Sequence, residues 1–208
     1  MLSSHTIHVL TGCLLDAEAH ADTHGWRQPP MIILLRAQRL HPTHGRGRRL
    51  DTILLPIHPD LVAGHVAAGR PGGVTAVLRD LAQWLTDTAP GADVAAETDP
   101  AAGAALRAAL ADELLDQTGP EARLLGCGII HEHTHILGAD VRQVRRLDAV
   151  DADRRLYRLT RLSGQAIAVA VVDDHPHPRA CPAYPGLVSL LDAAAAMLLS
   201  GHARQPQP

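Results

Sequence analysis

Apolar positions along the first half of the chain recur at helical spacing, interrupted by two short continuous runs. Ile7, Leu10, Leu14, Ala17 and Ala21 form one stripe, predicting a helix over residues 4–24 that Ser4 caps and Gly25 ends. Residues 26–30, Trp-Arg-Gln-Pro-Pro, then force an extended backbone. Met31 to Leu35 and Leu50 to Ile57 are runs of strand length. The loop between them contains Gly45-Arg46-Gly47-Arg48-Arg49, which suggests a wide hairpin. After Pro71-Gly72-Gly73, Val74, Val77, Leu78, Leu81 and Leu85 mark the clearest amphipathic helix. Residues 86–99 read as a polar surface loop. Asp99 caps and Pro100 opens a third helix, with Leu106, Leu110 and Leu114 on one side and Gly119-Pro120 as its stop.

The second half changes to strand patterns. Residues 122–137 start a β-rich region, and residues 141–150 and 155–162 read as two arms around a turn at Asp151-Ala152-Asp153. The spacing of Val141, Val144, Leu147 and Val150 also allows a helix; the hairpin is favoured. Ala166 to Val172 predicts a buried strand, residues 176–185 a Pro-rich loop, and residues 187–199 a final helix ending at Gly201. Residues 204–208 form a tail expected to fray.

This order predicts a single α+β domain over residues 1–203. Its mostly antiparallel sheet has about five to six strands, with helices packed on one face and a C-terminal helix. The order is similar to that of roadblock or profilin-like modules, an analogy of fold that carries no function.

Composition narrows the class. In 208 residues, 46% are hydrophobic and 2% aromatic with no Phe, so the core is built from Leu, Val, Ile and Ala. All the basic side chains apart from His are Arg, and the net charge of −3 disfavours a nucleic-acid partner. Cys13, Cys127 and Cys181 are widely spaced and odd in number, which fits a reducing compartment. No basic leader precedes a long apolar stretch, and no segment reaches about 18 consecutive apolar residues, the length expected of a membrane span. The expectation is a soluble cytoplasmic protein.

Candidate chemistry centres on His131-Glu132-His133-Thr134-His135. It fits the H-E-x-x-H pattern of zinc peptidases, in which His131 and His135 would bind zinc from one helical face and Glu132 would act as base. The preceding Gly126-Cys127-Gly128-Ile129-Ile130 is a poor helix start and a good strand. No Glu follows Glu132, and Val141 stands where metzincins carry their third His. On a strand, His131, His133 and His135 would instead share one face, where two could chelate a metal with His175 or His177. A solvated strand face that carries His by composition is the plainest alternative.

Seven Arg lie between Arg142 and Arg161, beside Asp140, Asp148, Asp151 and Asp153. They read either as a surface for phosphate or an acidic partner, or as an exposed hairpin with cross-strand ion pairs. The Gly45–Arg49 loop lacks the Gly-Lys-Ser/Thr ending of a phosphate loop, and no G-x-S-x-G elbow occurs.

Three stretches, His24–Pro30 (HGWRQPP), Gly126–Glu132 (GCGIIHE) and Asp140–Gly164 (DVRQVRRLDAVDADRRLYRLTRLSG), together resemble a group of small uncharacterised actinobacterial proteins. They cover about a fifth of the chain, and the last is the most specific. The resemblance implies that Glu132 lies on a strand leading into a hairpin around Asp151–Asp153, and it implies no activity. That group tends to carry a small residue and an aromatic after the Glu, where this chain has His133, Thr134 and His135. The sequence therefore leads to a non-enzymatic module that binds a protein or small-molecule partner and needs no cofactor. A zinc hydrolase using His131, His135 and Glu132 is one alternative, and a metal-binding protein using the His strand is another.

Overall fold

The run Met31–Leu35 is apolar at every position because its strand is buried on both faces. Ile32 and Leu34 enter one core and Ile33 and Leu35 the other. In the computed structural model, which describes residues 1–39, 48–68, 73–87, 101–115, 123–137, 140–166, 168–177, 179 and 181–202, this strand is β1 (Met31–Arg39). It is followed by β2 (Arg48–Pro56), β3 (Arg123–Leu137), β4 (Asp140–Asp151), β5 (Leu156–Leu162) and β6 (Val169–Asp173). These form one sheet of order β2-β1-β3-β4-β5-β6, antiparallel at every pairing. The expected β1–β2 pairing and the hairpin over residues 141–162 are both present. The loop at Gly45 to Gly47 lies outside the described residues.

The helices are α1 (Ser4–Thr23), α2 (Pro59–Ala67), α3 (Gly73–Asp87), α4 (Ala101–Leu115) and α5 (Tyr184–His202). The chain is thus α+β, with a six-stranded antiparallel sheet and a C-terminal helix. Four helices share one face, where Leu78, Leu81, Leu110, Leu187 and Leu190 pack on Ile32, Leu34, Cys127, Ile129 and Val150. Helix α1 adds a layer on the other face, with Leu10, Leu14, Ala17 and Ala21 against Ile33, Ile130, Leu147, Tyr157 and Leu159. The expected α1 stripe is the buried one. Its cap is Ser3 rather than Ser4: the Ser3 hydroxyl accepts from the Thr6 N–H at 3.1 Å.

Two expectations need correction. Helix α2 is not predicted by the hydrophobic pattern, because none of its residues is fully buried and it carries no strong stripe; Pro59 in its first turn and His58 as cap start it. The strand expected to be buried over residues 166–172 is instead Val169–Asp173 at the sheet edge. Val169, Val171 and Val172 are 62%, 46% and 40% exposed, so a Val-rich run here signals strand propensity and not burial. Residues 88–100 of the expected loop and helix start, Gly119-Pro120, and the tail at 204–208 lie outside the described residues. No helix among the described residues is long and apolar enough to cross a membrane.

Gly126 and Gly128 explain the Gly-rich run before the His cluster. A Cβ on Gly128 would lie 2.7 Å from the Cβ of Ala149, and one on Gly126 would lie 2.6 Å from the Val150 carbonyl oxygen. Only glycine lets β3 approach β4 this closely beneath α1.

Candidate functional site

The H-E-H-T-H run is strand throughout, within β3. Side chains on a strand alternate, so Glu132 faces α1 while His131, His133 and His135 face the side covered by α3 and α5. The H-E-x-x-H reading needs these residues on a helix, and here they lie on a strand. Four residues along a strand separate His131 from His135 by about 13 Å, too far to share one metal ion. Among the described residues, no group of three or more His, Cys, Asp or Glu side chains is placed to hold a metal.

Strand register brings a different group together on the helix side. His131 pairs directly with Arg146 across β3–β4, and Asp148 lies two residues further along β4. Arg146 donates from Nε to Asp148 at 2.9 Å, and His131 Nε2 stands 3.9 Å from the same carboxylate. The rings of His131 and His133 are 5.7 Å apart. Together these side chains form one wall of a cavity of about 380 Å³. Val62 of α2, the first turn of α3 at Gly73 to Thr75, and Pro182 and Ala183 supply the other walls.

The electrostatics of this wall are balanced by burial and pairing. Asp148 is 2% exposed; burial pushes its carboxyl up, but the neighbouring His131, the paired Arg146 and Cys181 outweigh this and hold it below the usual range. Burial, with His131, Arg146 and His135 nearby, lowers the His133 pKa and favours its neutral imidazole. Cys181 lies behind the wall, fully buried, and burial and the Asp148 charge both raise its thiol. An enclosed thiol held in its protonated form by burial is a poor nucleophile.

On the opposite face, Glu132 belongs to a buried ion-pair latch. Arg145, 0% exposed, donates from Nε and Nη2 to Glu132 Oε1 at 3.0 and 2.9 Å and from Nη1 to Asp22 at 2.9 Å. It also donates to the Gly25 carbonyl and lies 4.6 Å from the centre of the Trp26 ring. Arg161 stands directly opposite Arg145 across β4–β5, and Glu18 of α1 accepts from its Nε at 2.7 Å. Two guanidinium groups side by side would repel; Glu18, Asp22 and Glu132 make the arrangement stable.

The buried members of the Arg-rich hairpin, Arg145, Arg155 and Arg161, are taken up by ion pairs. Arg145 and Arg161 hold α1, and Arg155 pairs with Asp151, Asp153 and Asp174. Glu18, Asp22 and Arg161 were not legible as partners, because their contacts join residues more than a hundred positions apart. The signal that could have found them is acidic Glu18 and Asp22 at helical spacing on an otherwise apolar face. Trp26, Glu132 and Arg145, far apart in sequence, meet in this one cluster.

A second cavity of about 320 Å³ lies between α2, α3 and α4, where His65 and Asp80 approach to 3.4 Å. Cavity and latch lie on opposite faces of the same two strands. Comparison with known protein families, curated proteins and solved structures finds no match.

Proposed function

We propose that the protein is a non-enzymatic binding module whose ligand site is the cavity over His131, His133 and Arg146. The observation that carries this reading is the make-up of that cavity. A few convergent polar groups stand on a rigid sheet, and apolar walls from α2, α3 and the 182–183 turn close around them. Its volume, about 380 Å³, suits a small molecule and not a folded partner.

Each side chain has a role in this reading. Arg146 and the two imidazoles orient the ligand by hydrogen bonds, Asp148 fixes Arg146, and Val62 and Pro182 take its apolar part. The extended backbone of β3 and the protonated Cys181 favour binding over hydrolysis. The three cysteines are free, which supports a reducing, cytoplasmic setting. The meeting of Trp26, Glu132 and Arg145 supports kinship with the actinobacterial group as a shared packing device.

A screen of small acidic, neutral and basic fragments, followed by NMR of the histidine rings, tests the reading. A fragment that moves His131 and His133 together, and saturably, is the expected result. If no fragment of any charge moves them, the reading is wrong.

A further inference from the structure

The ligand class can be taken one step further, resting on the reading above. The cavity wall holds more hydrogen-bond donors than acceptors. Its one carboxylate, Asp148, is already taken by Arg146 at 2.9 Å and by the approach of His131, and is 2% exposed. Arg146 has further N–H groups beyond the Nε that Asp148 occupies, and each imidazole can present a ring N–H. Directly opposite Asp148 on β5 stands Arg158, whose Nε is buried and has no hydrogen-bond partner among the described residues. Residues paired across an antiparallel sheet share a face. Around Asp148, already occupied, the sheet thus gathers the guanidinium groups of Arg146 and Arg158 and the imidazoles of His131 and His133.

Donors of this kind, held in a partly enclosed and largely apolar cavity, select negatively charged oxygen. Hydrogen bonds to a charged acceptor are shorter and stronger than neutral ones, and an arginine fork matches the geometry of carboxylate and phosphate. We propose that the cavity binds a small molecule through an oxyanion, a carboxylate or a phosphate, held by Arg146 and the His131–His133 pair with its apolar remainder against Val62 and Pro182.

The test is an NMR titration of the full chain at fixed pH and ionic strength, with acetate, acetamide and inorganic phosphate as probes. Acetamide has the shape of acetate without its charge. Acetate or phosphate is expected to move the His131 and His133 ring signals saturably, with acetamide at least about tenfold weaker, the ratio a charge-assisted hydrogen bond supplies. The stronger of the two anions identifies the headgroup. The variants His133→Ala and Arg146→Lys should each weaken the anion severalfold. If Arg146→Lys fails to fold, the comparison of acetate with acetamide on the wild-type chain still decides.

Equal binding of acetate and acetamide would overturn the oxyanion assignment. So would neutral fragments that bind where neither anion does, and in that case the ligand-binding reading survives. Silence of His131 and His133 towards every probe and fragment overturns both.

Discussion

Arg145 donates two hydrogen bonds to one oxygen of Glu132 across the β3–β4 pair, at 3.0 and 2.9 Å, from a side chain that is 0% exposed. The glutamate that a peptidase motif would use as its base is here the anchor of a buried cation. Removing either partner should therefore reduce stability. Arg145→Met leaves Glu132 without its cation, while Glu18 and Asp22 keep only Arg161, and should cost roughly 3–5 kcal/mol in equilibrium denaturation. Trp26 emission should change with it, since the guanidinium sits 4.6 Å from the indole ring centre. Glu132→Gln should lower stability in the same direction. Unchanged stability in both variants would show that the latch is not a stabilising element.

Gly128 is predicted to be nearly irreplaceable for a steric reason. Its added Cβ would meet the Ala149 Cβ at 2.7 Å and the Asp148 carbonyl oxygen at 3.0 Å, both on the neighbouring strand. Gly128→Ala should therefore destabilise by about 1–3 kcal/mol, the usual range for overpacking. A thermal or denaturant midpoint equal to wild type would contradict the close β3–β4 approach.

Much of the fold was legible, and its limits have physical causes. The i, i+3, i+4 pattern of Val77, Leu78, Leu81 and Leu85 survives because that helix buries one face. The double glycine before His131 pointed to a strand, and its cause is the tight pairing with Ala149 and Val150. Helix α2 escaped because no residue of it is fully buried, leaving little periodicity to read. Strand β6 misled because Val169 and Val171 suit a strand wherever it sits, and here it sits at an edge. For the site, alternation along β3 placed the three imidazoles on one face. It could not supply Arg146 and Asp148, since partners across a sheet depend on register.

The Asp148 carboxyl has a distinct signature in pH. Its folded pKa is lowered, with burial opposing and His131, Arg146 and Cys181 prevailing. A lowered carboxylate contributes stability that is complete above its unfolded value, about 4, and is lost as pH falls through the folded value. Asp148→Asn should be less stable than wild type at pH 7, and the gap should shrink as the solution is acidified below pH 4. Denaturant midpoints measured across that range check this; a constant gap would argue against a charged, paired Asp148.

Thiol labelling separates a structural Cys181 from a reactive one. Cys127 and Cys181 are fully buried, and burial raises both thiols; Cys13 is half-buried and is raised as well, burial again being the main cause. Under native conditions a disulfide reagent should modify Cys13 slowly and the other two only on unfolding. Rapid modification of Cys181 in the folded protein would reopen a nucleophilic role for the cavity.

The central claim is that the H-E-x-x-H run is divided by the sheet: His131 and His133 line the cavity proposed to bind a ligand, and Glu132 holds a latch on the other side. Side-chain NMR during titration with the strongest-binding fragment tests this most directly. The account predicts that the His131 and His133 rings shift together and saturate while the Trp26 indole N–H, on the latch face, stays in place. A ligand that moves Trp26 and leaves both histidines unchanged would contradict it.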